Sequence, residues 1–211
     1  MSIMNIKRGG LALFASPKHV ASHRIRLIAQ AKDLEIESVE VDADNMPSDL
    51  LEINPNGRLP LLLDRDLMLY DERVISEYLD ERFPHPALMP IEANLRAMIR
   101  LFCYEIEKNW YGDAHILEHG KPAAARRKKL QKQLRDNILV MSPYFKGQNY
   151  FIGNELSLLD CCVLPVLWRL QALEIELPKA AASVQQYLDF HAKQDYFQQS
   201  LSAYERGLRE A

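Results

Sequence analysis

Cysteine is scarce: Cys103, Cys161 and Cys162 are odd in number, lack metal-ligand spacing, and include two neighbours inside an apolar run. That excludes a disulfide framework and points to buried, reduced thiols in a reducing compartment. No stretch approaches the roughly 18 to 20 uninterrupted apolar residues of a membrane-spanning helix. No signal-type apolar region follows Lys7 and Arg8, so a soluble cytoplasmic protein is expected. Positive charge is not in excess either: 26 Lys and Arg against 29 Asp and Glu leave a formal net charge of −3. Phosphate-driven binding to nucleic acid is therefore not expected. Internal repeats and low-complexity linkers are absent.

What is present suffices for two small cores in 211 residues, 48% of them hydrophobic. Leu11 to Ala15 reads as a strand. Ser22 to Lys32 reads as a helix with Ile25, Ile28 and Ala29 on one face, and Ile36 to Val41 alternates as a half-buried strand. This βαβ unit implies a parallel pair. After an irregular segment, Leu59 to Leu63 and Leu67 to Tyr70 form a hairpin across Asp64-Arg65-Asp66, and Val74 to Phe83 is helical up to Pro84-His85-Pro86. The order βαβ, then ββα, predicts an α/β thioredoxin-like domain over residues 1–86. Residues 87–211 carry only helical periodicities and predict an all-α domain.

Several short patterns bear on chemistry. Leu59-Pro60 begins an apolar strand and is a candidate cis peptide, placing the residue before the proline so that its backbone faces a ligand. Asp71-Glu72 falls at the first turn of a helix, a natural anion site into which Glu72 puts a tethered carboxylate that repels a second anion. Ser157-Leu158-Leu159-Asp160 has the form of a capping box and is read as structural. Leu164 and Trp168 share a helix face and are expected in one core. Arg126-Arg127-Lys128-Lys129 is read as a solvated helix face. His115, His119 and His191 share no ligand pattern, so no metal is expected. Pro84-His85-Pro86 stiffens the backbone around one histidine at a domain junction, which suits a partner contact as well as a helix stop.

Pro60, the acidic pair at 71 and 72, and the Ser157 to Asp160 box, in that order, resemble the glutathione S-transferase fold over nearly the whole chain. The blocks Asn54-Pro55-Asn56, Tyr78 to Pro86, Glu105 to Lys108 with Trp110-Tyr111, and Leu167 to Leu170 resemble the bacterial stringent starvation protein A family. That resemblance implies a dimeric, transferase-like regulator of transcription and the stress response, associated with RNA polymerase holoenzyme and its primary sigma factor. It carries the partner contact onto Pro84, His85 and Pro86, and implies neither a cofactor nor direct nucleic-acid or membrane binding.

Transferases of this fold place Ser, Cys or Tyr near the start of the first helix. Here that place falls at His19, Val20 or Ala21, with Ser16 about one turn too early. His19, Leu59, Pro60, Asp71 and Glu72 are accordingly read as positions of a degenerate glutathione site, with Arg73 the adjacent cation that could offset Glu72. No catalytic residue and no transferase activity are expected. The alternatives are a glutathione-dependent transferase or peroxidase using Ser16 or His19, and a dimeric scaffold of another complex.

Overall fold

Strand β1 (Leu11–Ala15) alternates between two cores: Leu13 and Ala15 face the larger one, Ala12 and Phe14 a smaller one with Val41, Leu50 and Leu61. This period of two needs a sheet covered on both faces. The computed structural model describes residues 10–209 and supplies both covers. Strands β2 (Glu37–Glu40), β3 (Leu61–Asp64) and β4 (Leu67–Tyr70) complete a sheet of order β2-β1-β3-β4. β2 is parallel to β1, whereas β3 and β4 are antiparallel additions. Helices α1 (Val20–Ala31) and α3 (Glu72–Arg82) cover one face, and α2 (Ser48–Ile53), in the segment expected to be irregular, places Leu50 on the other.

The second half is helical: α4 (Ala93–Ile106), a π-turn (Glu107–Tyr111), α5 (Gly112–His119), α6 (Ala124–Met141), α7 (Leu158–Arg169), α8 (Ala182–His191), α9 (Asp195–Ser200) and α10 (Ala203–Gly207). Every residue of α7 is buried, including Leu164 and Trp168. Its start is the expected capping box: Ser157 caps the Asp160 amide while Asp160 Oδ2 accepts from Ser157 N at 2.8 Å. Asp160 also accepts from Phe151 N at 2.7 Å and Tyr187 O–H at 2.6 Å, so one carboxylate ties the preceding loop and α8 to the cap.

α1 joins the two halves, packing on α3 as well as on α7 and α9. The larger core accordingly runs without a break from the sheet into the helical half. At the inner end of this seam the buried Arg169 bonds Glu205 Oε1 (2.6 Å) and Glu118 Oε2 (3.0 Å), and Arg26 reaches Glu205 Oε2 at 2.7 Å. His23 stands 3.2 Å from Arg169 Nη1 and 3.2 Å from Ser200 Oγ. Among the described residues no helix is long and apolar enough to cross a membrane.

Candidate functional site

The cradle is assembled from three backbone features. Asn54 is buried, its side chain donates to Arg58 O at 2.8 Å, and Gly57 takes φ +58°, a turn that glycine permits at no steric cost. This turn delivers Leu59-Pro60, whose peptide bond is cis as expected, to the edge of β3. Asp71 then turns the chain into α3 with φ +86°.

The anion site at the start of α3 is filled from within. Asp71 Oδ1 accepts from Arg73 N (3.0 Å) and Val74 N (3.4 Å), the amides an incoming carboxylate would use. Glu72 follows as the first helical residue, so Asp71 occupies the amides and Glu72 adds charge beside them. Arg73 does not offset that charge as an unengaged cation. Its Nε lies 3.1 Å from Glu107 Oε2, its Nη2 lies 3.5 Å from Asp71, and the other Glu107 oxygen is bonded to the buried Arg24. Burial, followed by the charge of Glu72, raises Glu107 above the usual carboxylate range, against the pull of Arg24 and Arg73. Three carboxylates thus surround the place where a ligand carboxylate would dock.

His19 is the residue before α1 and makes no capping bond with its side chain. Burial first, then His115, His119 and Arg169, lower its pKa to about 4, so it is a neutral imidazole at neutral pH. A neutral ring offers no charge to hold a thiolate. Val20 is buried, and Ser16 is 2% exposed with its hydroxyl accepting from Lys18 N at 3.3 Å. His19, which the sequence reading did not group with His115 and His119, comes together with them: ring centroids are 5.3 Å (His19–His115), 5.9 Å (His19–His119) and 5.1 Å (His115–His119) apart. They line a cleft of about 620 Å³ with Ser16, Asp42, Asp44 and Tyr204. Among the described residues no group of three or more His, Cys, Asp or Glu is arranged to hold a metal ion.

At the far end of α3 the arrangement is the reverse, an open surface on a fixed base. Pro84, His85 and Pro86 are all exposed, and the His85-Pro86 bond is cis. Underneath, the buried Lys32 ammonium donates to Phe83 O (2.7 Å) and Pro86 O (2.6 Å) and pairs with Asp80 at 2.8 Å. Asp80 also accepts from Leu88 N at 2.7 Å, so the loop is pinned on both sides of the histidine. Sequence reading missed Lys32 and Asp80. The one signal was a lysine at the apolar end of α1, where an exposed residue is the usual expectation.

The profile described as "Glutathione S-transferase, N-terminal domain" matches residues 9–81, and that described as "Glutathione S-transferase, C-terminal domain" matches residues 93–195. Over the full length, the chain is 38% identical across 206 residues to a stringent starvation protein A homolog of Coxiella burnetii, covering 97% of this chain and 98% of the relative. It is 40% identical across 196 residues to a homolog from Pasteurella multocida, covering 92% of each. Among solved structures, the Tau class glutathione S-transferase of mango, Mangifera indica, superposes with a TM-score of 0.82 at 19% identity, over 96% of this chain and 97% of that one. A glutathione S-transferase of Methylobacillus flagellatus with glutathione bound superposes at 0.80 and 21% identity, over 92% of this chain and 100% of that one. At these identities the superpositions establish the fold.

Proposed function

The chain belongs to the stringent starvation protein A family on a glutathione S-transferase fold, and on that premise we propose that it regulates transcription by binding RNA polymerase. The contact is made with the holoenzyme and its primary sigma factor by a homodimer in the cytoplasm, without glutathione transferase activity. The observation that carries this reading is the loop at Pro84, His85 and Pro86, exposed at its tips and held from below by Lys32. A surface already ordered before contact forfeits little conformational entropy on binding.

Two further features support it. The cradle that would hold glutathione is occupied by Asp71, Glu72 and Glu107, and the residue in the catalytic place is an uncharged histidine. Exposed apolar side chains lie on both halves, with Leu67, Met68, Tyr70 and Val74 on β4 and α3, and Leu101, Tyr104 and Val140 on α4 and α6. Such a pair of faces suits a two-fold dimer in which the first domain of one copy meets the helical domain of the other. The test is a pull-down of purified holoenzyme and core polymerase. Retention of the holoenzyme is expected, and its absence sinks the proposal.

A further inference from the structure

The cleft of about 620 Å³ at the start of α1 carries negative charge at two depths. Asp42 and Asp44, on the loop after β2, are exposed at its rim, whereas Glu118 on α5 lies deep, its side chain 4% exposed. Among the described residues Lys18 is the one lysine or arginine that lines the cleft, and it is exposed. Three carboxylates thus face one solvated ammonium.

Glu118 is only half used. Its Oε2 accepts from Arg169 Nε at 3.0 Å, with His119 Nε2 at 3.5 Å, but Oε1 is buried and has no hydrogen-bond partner among the described residues. A buried carboxylate oxygen is costly to leave in that state, and what it lacks is a donor. Arg169 has none to spare, because its other nitrogens bond Pro165 O, Lys18 O and Glu205 Oε1. The Tyr204 hydroxyl beside Glu118 keeps its proton, pushed up to about 12 by burial and then by the Glu118 charge, yet makes no hydrogen bond of normal geometry to Oε1. His119 Nε2 is a second buried atom of this cleft without a partner.

The walls between rim and base suit a cation. The rings of His19, His115 and His119 adjoin one another, and Tyr204 continues them with its centroid 6.3 Å from that of His119. Burial lowers both His19, to about 4, and His119, so these two rings are neutral at pH 7 and do not repel a positive charge. Aromatic faces attract a cation. The lining is not arranged to hold a bare metal ion, which leaves a cation that carries its own N–H donors on an extended apolar stem.

We propose that this cleft binds a small α,ω-diamine, with one ammonium donating to Glu118 Oε1 and the other held at the rim by Asp42 and Asp44. The site stands at the N-terminal end of α1, and Lys32, which pins the loop at 84–86, stands at the C-terminal end. The diamine site is therefore independent of the polymerase contact.

The experiment titrates the full-length protein calorimetrically with putrescine, its neutral isostere butanediol and the monoamine butylamine, at neutral pH and physiological salt. Saturable binding of putrescine is expected and none of butanediol, with butylamine about fivefold weaker because exposed carboxylates hold a cation loosely. Glu118→Gln should weaken putrescine about tenfold or more. The Asp42→Asn, Asp44→Asn protein should lose the advantage of putrescine over butylamine and bind butylamine as the wild type does. Because Glu118 also holds the buried Arg169, its variant is first matched to the wild type by circular dichroism, and the rim variant carries the test if Glu118→Gln does not fold. Wild-type protein that fails to bind millimolar putrescine, or binds butanediol equally, overturns the proposal. So does undiminished putrescine affinity in either folded variant.

Discussion

Glu107 holds the Arg73 guanidinium at 3.1 Å. The cation that could have balanced a ligand carboxylate beside Glu72 is thereby taken by a residue from the other half of the chain, and Arg24 anchors the same carboxylate from beneath. The cradle keeps its backbone, with a cis Leu59-Pro60 bond and a capped α3, while its charges are satisfied internally.

Glutathione binding follows directly from that arrangement. Wild-type protein should show no thermal shift in millimolar glutathione. The Glu72→Ser, Glu107→Gln double variant, which removes two of the three carboxylate charges and releases Arg73 from Glu107, should gain a measurable one. A shift in the wild type would contradict the reading of the cradle.

The loop at 84–86 depends on a residue about fifty positions upstream. Lys32→Met leaves Asp80 buried without its cation and should cost about 3 kcal/mol or more in urea unfolding. It should also weaken polymerase association about tenfold, the equivalent of roughly 1.4 kcal/mol of lost preordering. Equal affinity for the two proteins would show that the clamp serves stability alone.

The capping box separates two contributions. Ser157→Ala removes one cap and should cost about 1 kcal/mol. Asp160→Ala also strands the Phe151 amide and the Tyr187 hydroxyl and should cost about 3 kcal/mol or more. Matching losses in denaturant titrations would mean that Asp160 does no more than complete the box.

Stability should decline as pH falls below neutrality. His23 and His191 are fully buried, and burial lowers their pKa values to about 3 and about 4. The unfolded histidines take up protons near pH 6.5 and the folded ones do not, so their contribution is complete above that pH and shrinks toward pH 4. Glu205 follows at lower pH. Despite burial, His23 once protonated, and Arg169 and Arg26 throughout, depress it to about 2, and its contribution is lost as pH drops from the ordinary carboxylate range toward that value. Melting temperatures from pH 7.5 to 5 should fall steadily, and a flat profile would contradict neutral, buried histidines.

Periodicity and capping chemistry made most of the fold legible. The alternation of β1 and β2, the hairpin across Asp64 to Asp66 and the Ser157 box all lie within a few residues of themselves, where local physics decides the structure. α2 escaped notice because six residues with one buried side chain carry too little pattern. Pro60, Asp71 and Glu72 were legible as cradle positions, but Arg24, Lys32, Asp80 and Glu107 were not. Charged residues are ordinarily exposed, and only the fold reveals that Arg24 meets Glu107 or that Lys32 meets Pro86. His19, at the start of α1, and His115 and His119, both on α5, were not legible as a group for the same reason, far apart in sequence and ring to ring in space.

The most direct measurement compares polymerase holoenzyme retained by wild-type protein with that retained by the Pro84→Ala, His85→Ala, Pro86→Ala variant, after matching the two by circular dichroism and size-exclusion mass. Retention by the wild type and loss by a folded, dimeric variant is the expected result. Equal retention would move the contact to another surface, and no retention by either protein would contradict polymerase binding itself.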